Sequence, residues 1–84
     1  MRGGVVSGAH DLTAEARAGF DGNANPHLWS SPAWYAHSLG AYLHATGRPV
    51  PAAVRMSRGS KVRCGDCMYE YQHGAGREHW ERIS

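Results

Sequence analysis

The strongest constraint in this chain is a bracket of helix-delimiting residues around positions 32–45. Ser31 offers a side-chain oxygen to the free N–H groups that open a helix, and Pro32 suits the first helical position, where no N–H is needed. Gly47 supplies the left-handed stop, and Pro49 and Pro51 forbid continuation. Between these signals Tyr35, Leu39, Tyr42 and Leu43 fall at helical spacing and make one apolar stripe. The pattern predicts a helix from Pro32 to Ala45. Gly40 lies in its middle at a cost of about 1 kcal/mol relative to Ala. Close approach of another backbone would compensate, and the candidate is a short helix upstream.

That upstream helix is predicted over residues 14–20, with Thr13 as N-cap, Glu15 where the helix dipole favours an acid, and Gly22 beyond its end. Asn23-Ala24-Asn25-Pro26 is turn chemistry and opens a connecting loop over residues 23–30. The Gly-rich residues 1–12 read as a loose arm. After Pro51 the period changes from helical to alternating. Val54-Arg55-Met56-Ser57 and Val62-Arg63-Cys64 flank Arg58-Gly59-Ser60 as a β-hairpin, and Met68-Tyr69-Glu70-Tyr71 follows the Gly65-Asp66 turn as a third β-prone run. Gly74-Ala75-Gly76 breaks the chain, and residues 77–83 are expected to form a terminal helical turn. The predicted architecture is a single small α+β domain. It has an N-terminal two-helix hairpin over 13–47, followed over 48–84 by an antiparallel sheet of about three strands.

At 84 residues there is room for one domain and a thin core, which excludes a multidomain enzyme with a deep closed site. A hydrophobic fraction of 42% and a charged fraction of 19% are globular values. No apolar run approaches a membrane span, and Met1-Arg2-Gly3-Gly4-Val5-Val6 has no apolar signal core, so the expected location is cytoplasmic. The net charge of +2 is divided: residues 1–47 balance at −1 and residues 48–84 at +3.

Residues 16–47 include Asn25-Pro26 in a turn after a short helix ending in Gly, then Ser31-Pro32 before a helix carrying Gly40. This segment resembles the ribosome-modulation-factor-like family of short bacterial and phage proteins. His27 stands where that pattern has an aromatic after the proline, and His37 where it has a tryptophan. The resemblance covers 16–47 only. It implies a two-helix hairpin and, as in the founding member, ribosomal RNA binding and silencing of translation. The strand-rich half has no counterpart in it.

Four constellations carry possible chemistry. Cys64-Gly65-Asp66-Cys67 presents two thiols, and His73 and His79 downstream would complete a Cys₂His₂ zinc site. The plain alternative is two ordinary cysteines in a hairpin turn, and no other cofactor is indicated. Arg48, Arg55, Arg58, Lys61 and Arg63 follow one another with no acid between, a pattern suited to phosphates, with Tyr69 and Tyr71 available to stack on unpaired bases. The same cations equally suit a solvated strand face or an acidic protein surface. Trp29, Trp34 and Trp80 are core fillers or partner anchors, and Trp29 in the connecting loop is the best anchor candidate. His37 and His44 share a helix face and read as partly exposed residues, with metal binding or titration as the sharper option. No catalytic triad, paired carboxylates or phosphate-cradling glycine loop is present.

The expectation is therefore a non-catalytic regulatory binding protein that docks on RNA or a ribonucleoprotein. The alternative is a phage-type inhibitor that blocks a host or defence protein by occupying its surface. Neither involves a membrane. A homodimer would be compatible with a chain this short.

Overall fold

The computed structural model describes residues 11–58, 60–74 and 77–84, leaving aside the side chains of Arg58, His73, Arg77 and Glu78. Two helices, α1 (Thr13–Phe20) and α2 (Pro32–Ala45), precede four strands: β1 (Val54–Arg58), β2 (Lys61–Cys64), β3 (Cys67–Gly74) and β4 (Arg77–Arg82). The strands form one antiparallel sheet in sequence order. The class is α+β. The sheet has one strand more than the sequence predicts, because residues 77–82 pair with β3 instead of forming a helical turn.

Local signals account for both helix ends. Ser31 Oγ accepts the Trp34 N–H at 3.2 Å, and Pro32 occupies the first turn of α2. At the other end Gly47 takes φ 73°, its N–H donates to the His44 carbonyl, and the Arg48 N–H reaches back to the Leu43 carbonyl at 2.8 Å. That pair of bonds is a Schellman motif. α1 closes the same way, through Gly22 at φ 90° and the Asn23 N–H on the Ala18 carbonyl. The start of α1 differs from expectation. Thr13 is the first helical residue rather than the cap, and its hydroxyl accepts the Val54 N–H at 3.1 Å, which ties α1 to β1.

The helices touch through small residues. A Cβ on Gly40 would overlap the Ala16 carbonyl and lie 2.8 Å from the Phe20 nitrogen, and one on Gly19 would overlap the His37 carbonyl. These contacts run in opposite senses along the two helices. The backbones approach only because neither position carries a side chain. Of the predicted α2 stripe, Tyr35, Leu39 and Leu43 are buried and Tyr42 is half-buried against the Tyr69 ring at 5.8 Å.

Alternation divides the sheet. Val54, Met56, Val62, Cys64, Tyr69, Tyr71 and Trp80 point into the core with Leu12, Ala16, Ala36 and the α2 stripe. Tyr35, Tyr71 and Trp80 meet edge to face with centroids 5.1–6.3 Å apart, Trp34 packs on Tyr35 and Tyr71, and the Trp80 indole donates to Ser38 Oγ at 3.1 Å. Of the expected arm, residues 1–10 lie outside the described residues. Asp11 bridges Arg55, and Leu12 is buried with its N–H on the Val54 carbonyl at 2.7 Å. Among the described residues no helix is long and apolar enough to cross a membrane.

Candidate partner-binding face

The open face of the sheet carries the alternate residues. Arg55 on β1 lies directly opposite Arg63 on β2, and Arg63 lies opposite Met68 on β3. One row further along, Lys61, Glu70 and Glu81 follow one another across three strands. Lys61 therefore has acidic neighbours in register, whereas Arg55 and Arg63 are an exposed like-charge pair. Like charges directly opposite on one sheet face destabilise the pairing. Asp11 offsets part of this on the β1 side. Its carboxyl is held below the usual carboxylate range first by the Thr13 hydroxyl, then by the Thr13 N–H, and further by the Arg55 charge. The Arg63 side chain has no hydrogen bond or ion pair among the described residues. The side chain of Arg58 lies outside the description.

Two members of the predicted surface belong to the core. Tyr69 and Tyr71 are 4% and 8% exposed, so their rings are not available to stack on bases. The reason is register: the two-residue turn Gly65-Asp66 sets Cys64 opposite Cys67 and Tyr69 opposite Val62, on the helix-covered face. Arg48 also leaves the group. It sits after α2 on the helix side, where its Nη1 donates to the Tyr69 hydroxyl at 3.0 Å.

The predicted zinc set is dispersed. Cys64 and Cys67 close the β2–β3 turn, whereas His79 pairs with Gln72 and the His73 backbone with Glu78. Five strand steps, about 17 Å, separate Cys67 from the Gln72–His79 row. His79 turns to Glu81 at 3.2 Å, and the side chain of His73 lies outside the description. Among the described residues no group of three or more His, Cys, Asp or Glu is placed to hold a metal. Burial, then the neighbouring Cys67, pushes the Cys64 thiol up to about 11, which keeps it protonated near neutral pH and a weak nucleophile.

Trp29 is exposed, as a partner anchor requires, and Leu28 beside it is 83% exposed. The Ser31 N–H donates to the Leu28 carbonyl, and Ser30, at the third position of this turn, takes φ 75°, a left-handed conformation that glycine would normally supply. Its hydroxyl lies 3.1 Å from the Tyr35 hydroxyl. Trp80 is buried and Trp34 half-buried.

The helix histidines separate. His44 is exposed, edge-on to Phe20 at 5.1 Å, but His37 is buried rather than partly exposed. Its ring meets that of His27 at 6.1 Å. These are the two positions that depart from the resembled aromatic pattern, and they are spatial neighbours.

A site the sequence did not suggest lies under the end of α2, a cavity of about 220 Å³ with Arg48 and Arg82 on its rim. Its walls come from residues as far apart as Leu43 and Arg82, so no local motif marks it. Comparison of the chain with models of known families, with curated proteins and with solved structures gives no match.

Proposed function

We infer that the chain is a small non-catalytic binding protein that docks on RNA or a ribonucleoprotein through the open face of β1 and β2. The observation that carries this reading is the Arg55–Arg63 pair, two exposed guanidinium groups held opposite each other against their own repulsion. An anionic surface turns that repulsion into binding, and guanidinium groups hold phosphate oxygens bidentately. The ribosome-modulation-like character of residues 16–47 supports the same reading. With Tyr69 and Tyr71 in the core, the contact is made to the phosphates of folded RNA rather than by stacking on single-stranded bases.

A second reading, a phage-type inhibitor that covers a host or defence protein, is favoured by one observation. Leu28 and Trp29 are presented together on a turn that holds Ser30 at positive φ, and indole rings are frequent interface anchors. Capture of partners on the immobilised chain, with and without nuclease, separates the two. On the first reading ribosomes or structured RNA are captured at low salt, are lost with rising salt, and are lost with Arg55→Glu/Arg63→Glu. Capture that survives both nuclease and the charge reversals, but fails with Trp29→Ala, replaces the first reading with the second.

A further inference from the structure

We propose that the cavity beneath the C-terminal end of α2 is a binding site for a small organic carboxylate with a compact apolar body. It lies on the helix-covered side of the sheet, away from Arg55 and Arg63, and is independent of the partner reading above. Leu43, Pro49 and Pro51 form its apolar wall, and Cys64, Cys67 and the Tyr69 ring belong to the strand side.

Its two charges come from different elements, Arg48 after α2 and Arg82 on β4. The Schellman turn at Gly47 folds the chain back so that Arg48 reaches the Tyr69 hydroxyl at 3.0 Å, which fixes one guanidinium at the rim. Arg82, on β4, shares the helix-facing parity of Trp80. Its Nε donates to the Ser84 oxygen at 3.0 Å, which leaves the two terminal nitrogens for a ligand. No aspartate or glutamate lines the cavity. Among the described residues neither guanidinium meets an acidic side chain.

An apolar hollow with a few convergent polar groups is the usual form of a small-ligand site. Here both charged side chains of the lining are positive, Arg48 bonded to the Tyr69 hydroxyl and Arg82 through one nitrogen to the Ser84 oxygen, which leaves the remaining N–H groups to a ligand. A bare inorganic anion would leave the apolar wall uncovered, and a neutral apolar molecule would leave the two charges unmet. A carboxylate on an apolar body satisfies both. Sites for drug-sized ligands occupy roughly 300–1,000 Å³, so a hollow of about 220 Å³ suits a single ring bearing one carboxylate.

The probe is 4-fluorobenzoate, followed by fluorine NMR on the full chain, with 4-fluorobenzyl alcohol and inorganic phosphate as controls. The expected result is saturable benzoate binding at least tenfold tighter than either control. Arg48→Gln and Arg82→Gln each weaken it tenfold or more; thermal unfolding is unchanged for the exposed Arg82, whereas Arg48→Gln also gives up the bond to the buried Tyr69 hydroxyl and lowers the midpoint. Benzoate also slows alkylation of Cys67 by iodoacetamide. Equal binding of the alcohol reduces the site to an apolar crevice, and equal competition by phosphate reduces it to a charge patch. Either outcome overturns the proposal, as does benzoate binding unaffected by both arginine substitutions.

Discussion

His37 is a titratable group sealed where two helices meet. It is 4% exposed, and its Nε2 has no hydrogen-bond partner among the described residues. Burial, then the facing charge of His27, holds its pKa below the ordinary 6.5. The folded state therefore disfavours the imidazolium, and the unfolded state takes up the proton first. This contribution to stability is complete above pH 6.5 and declines as the pH falls through 6.5 toward the folded value. Thermal unfolding should show a lower midpoint at pH 5.5 than at pH 7.5, and His37→Leu should flatten that slope. An unchanged slope in the variant would assign the effect elsewhere. Three residues further along α2, Gly40 makes the opposite point, since what matters there is the absence of a side chain. Alanine gains about 1 kcal/mol in helix propensity, but its methyl meets the Ala16 carbonyl and the Phe20 nitrogen, which are backbone and cannot rotate away. Gly40→Ala is expected to lose at least about 2 kcal/mol in urea denaturation, as overpacked contacts do. A neutral or stabilising result would mean that the helices can separate at no cost.

The elements differ in how far their own residues specify them. α2 is bounded by side-chain and backbone chemistry within a few residues of each end, so Ser31, Pro32 and Gly47 alone locate it from Pro32 to Ala45. β4 is the contrary case. Arg77, Glu78, Glu81 and Arg82 favour a helix by propensity, and Trp80 is the one apolar residue within the strand. Tertiary contacts decide the matter: the indole packs edge to face on both Tyr35 and Tyr71 and donates to Ser38, 42 residues away. The candidate site was readable in the same uneven way. Its cations follow from charge alone, and the parity that buries Tyr69 and Tyr71 was available in the two-residue spacing between Cys64 and Cys67, which fixes the β2–β3 register. The β3–β4 register sets His79 opposite Gln72, away from the Cys64–Cys67 turn. The cavity was not readable, since its lining joins the end of α2 and the loop after it to β2, β3 and β4, which no local motif relates. If Trp80 is what makes residues 77–82 a strand, Trp80→Ala should cost about 3–5 kcal/mol and should preferentially strip amide-exchange protection from β3 and β4. Loss confined to the global transition, with β4 still protected in the native state, would place the strand's origin in the β3–β4 pairing itself.

At the scale of the whole molecule, one sheet has two unlike faces. The helix-covered face holds the core, and the outer edge of β1 meets Asp11 and Leu12. The other face is open and electrically divided, with Arg55 and Arg63 on one flank and Glu70 and Glu81 on the other. Stability and binding therefore pull in opposite directions at one residue. Arg63→Glu converts a like-charge cross-strand pair into an opposite-charge pair with Arg55, a change typically worth about 0.2–1 kcal/mol in favour of the fold. The same substitution removes a phosphate contact and adds repulsion. Affinity for structured RNA should fall, and the slope of log affinity against log salt should lose about one unit for each phosphate contact removed. A protein target held through Leu28 and Trp29 would leave that slope unchanged. Urea denaturation of Arg63→Glu beside a salt titration of its RNA binding measures both effects on one variant. Only the combination of a more stable fold and a shallower salt slope fits an arginine pair maintained for an anionic partner. A less stable variant with unaltered binding would return Arg63 to the role of a solvated strand residue.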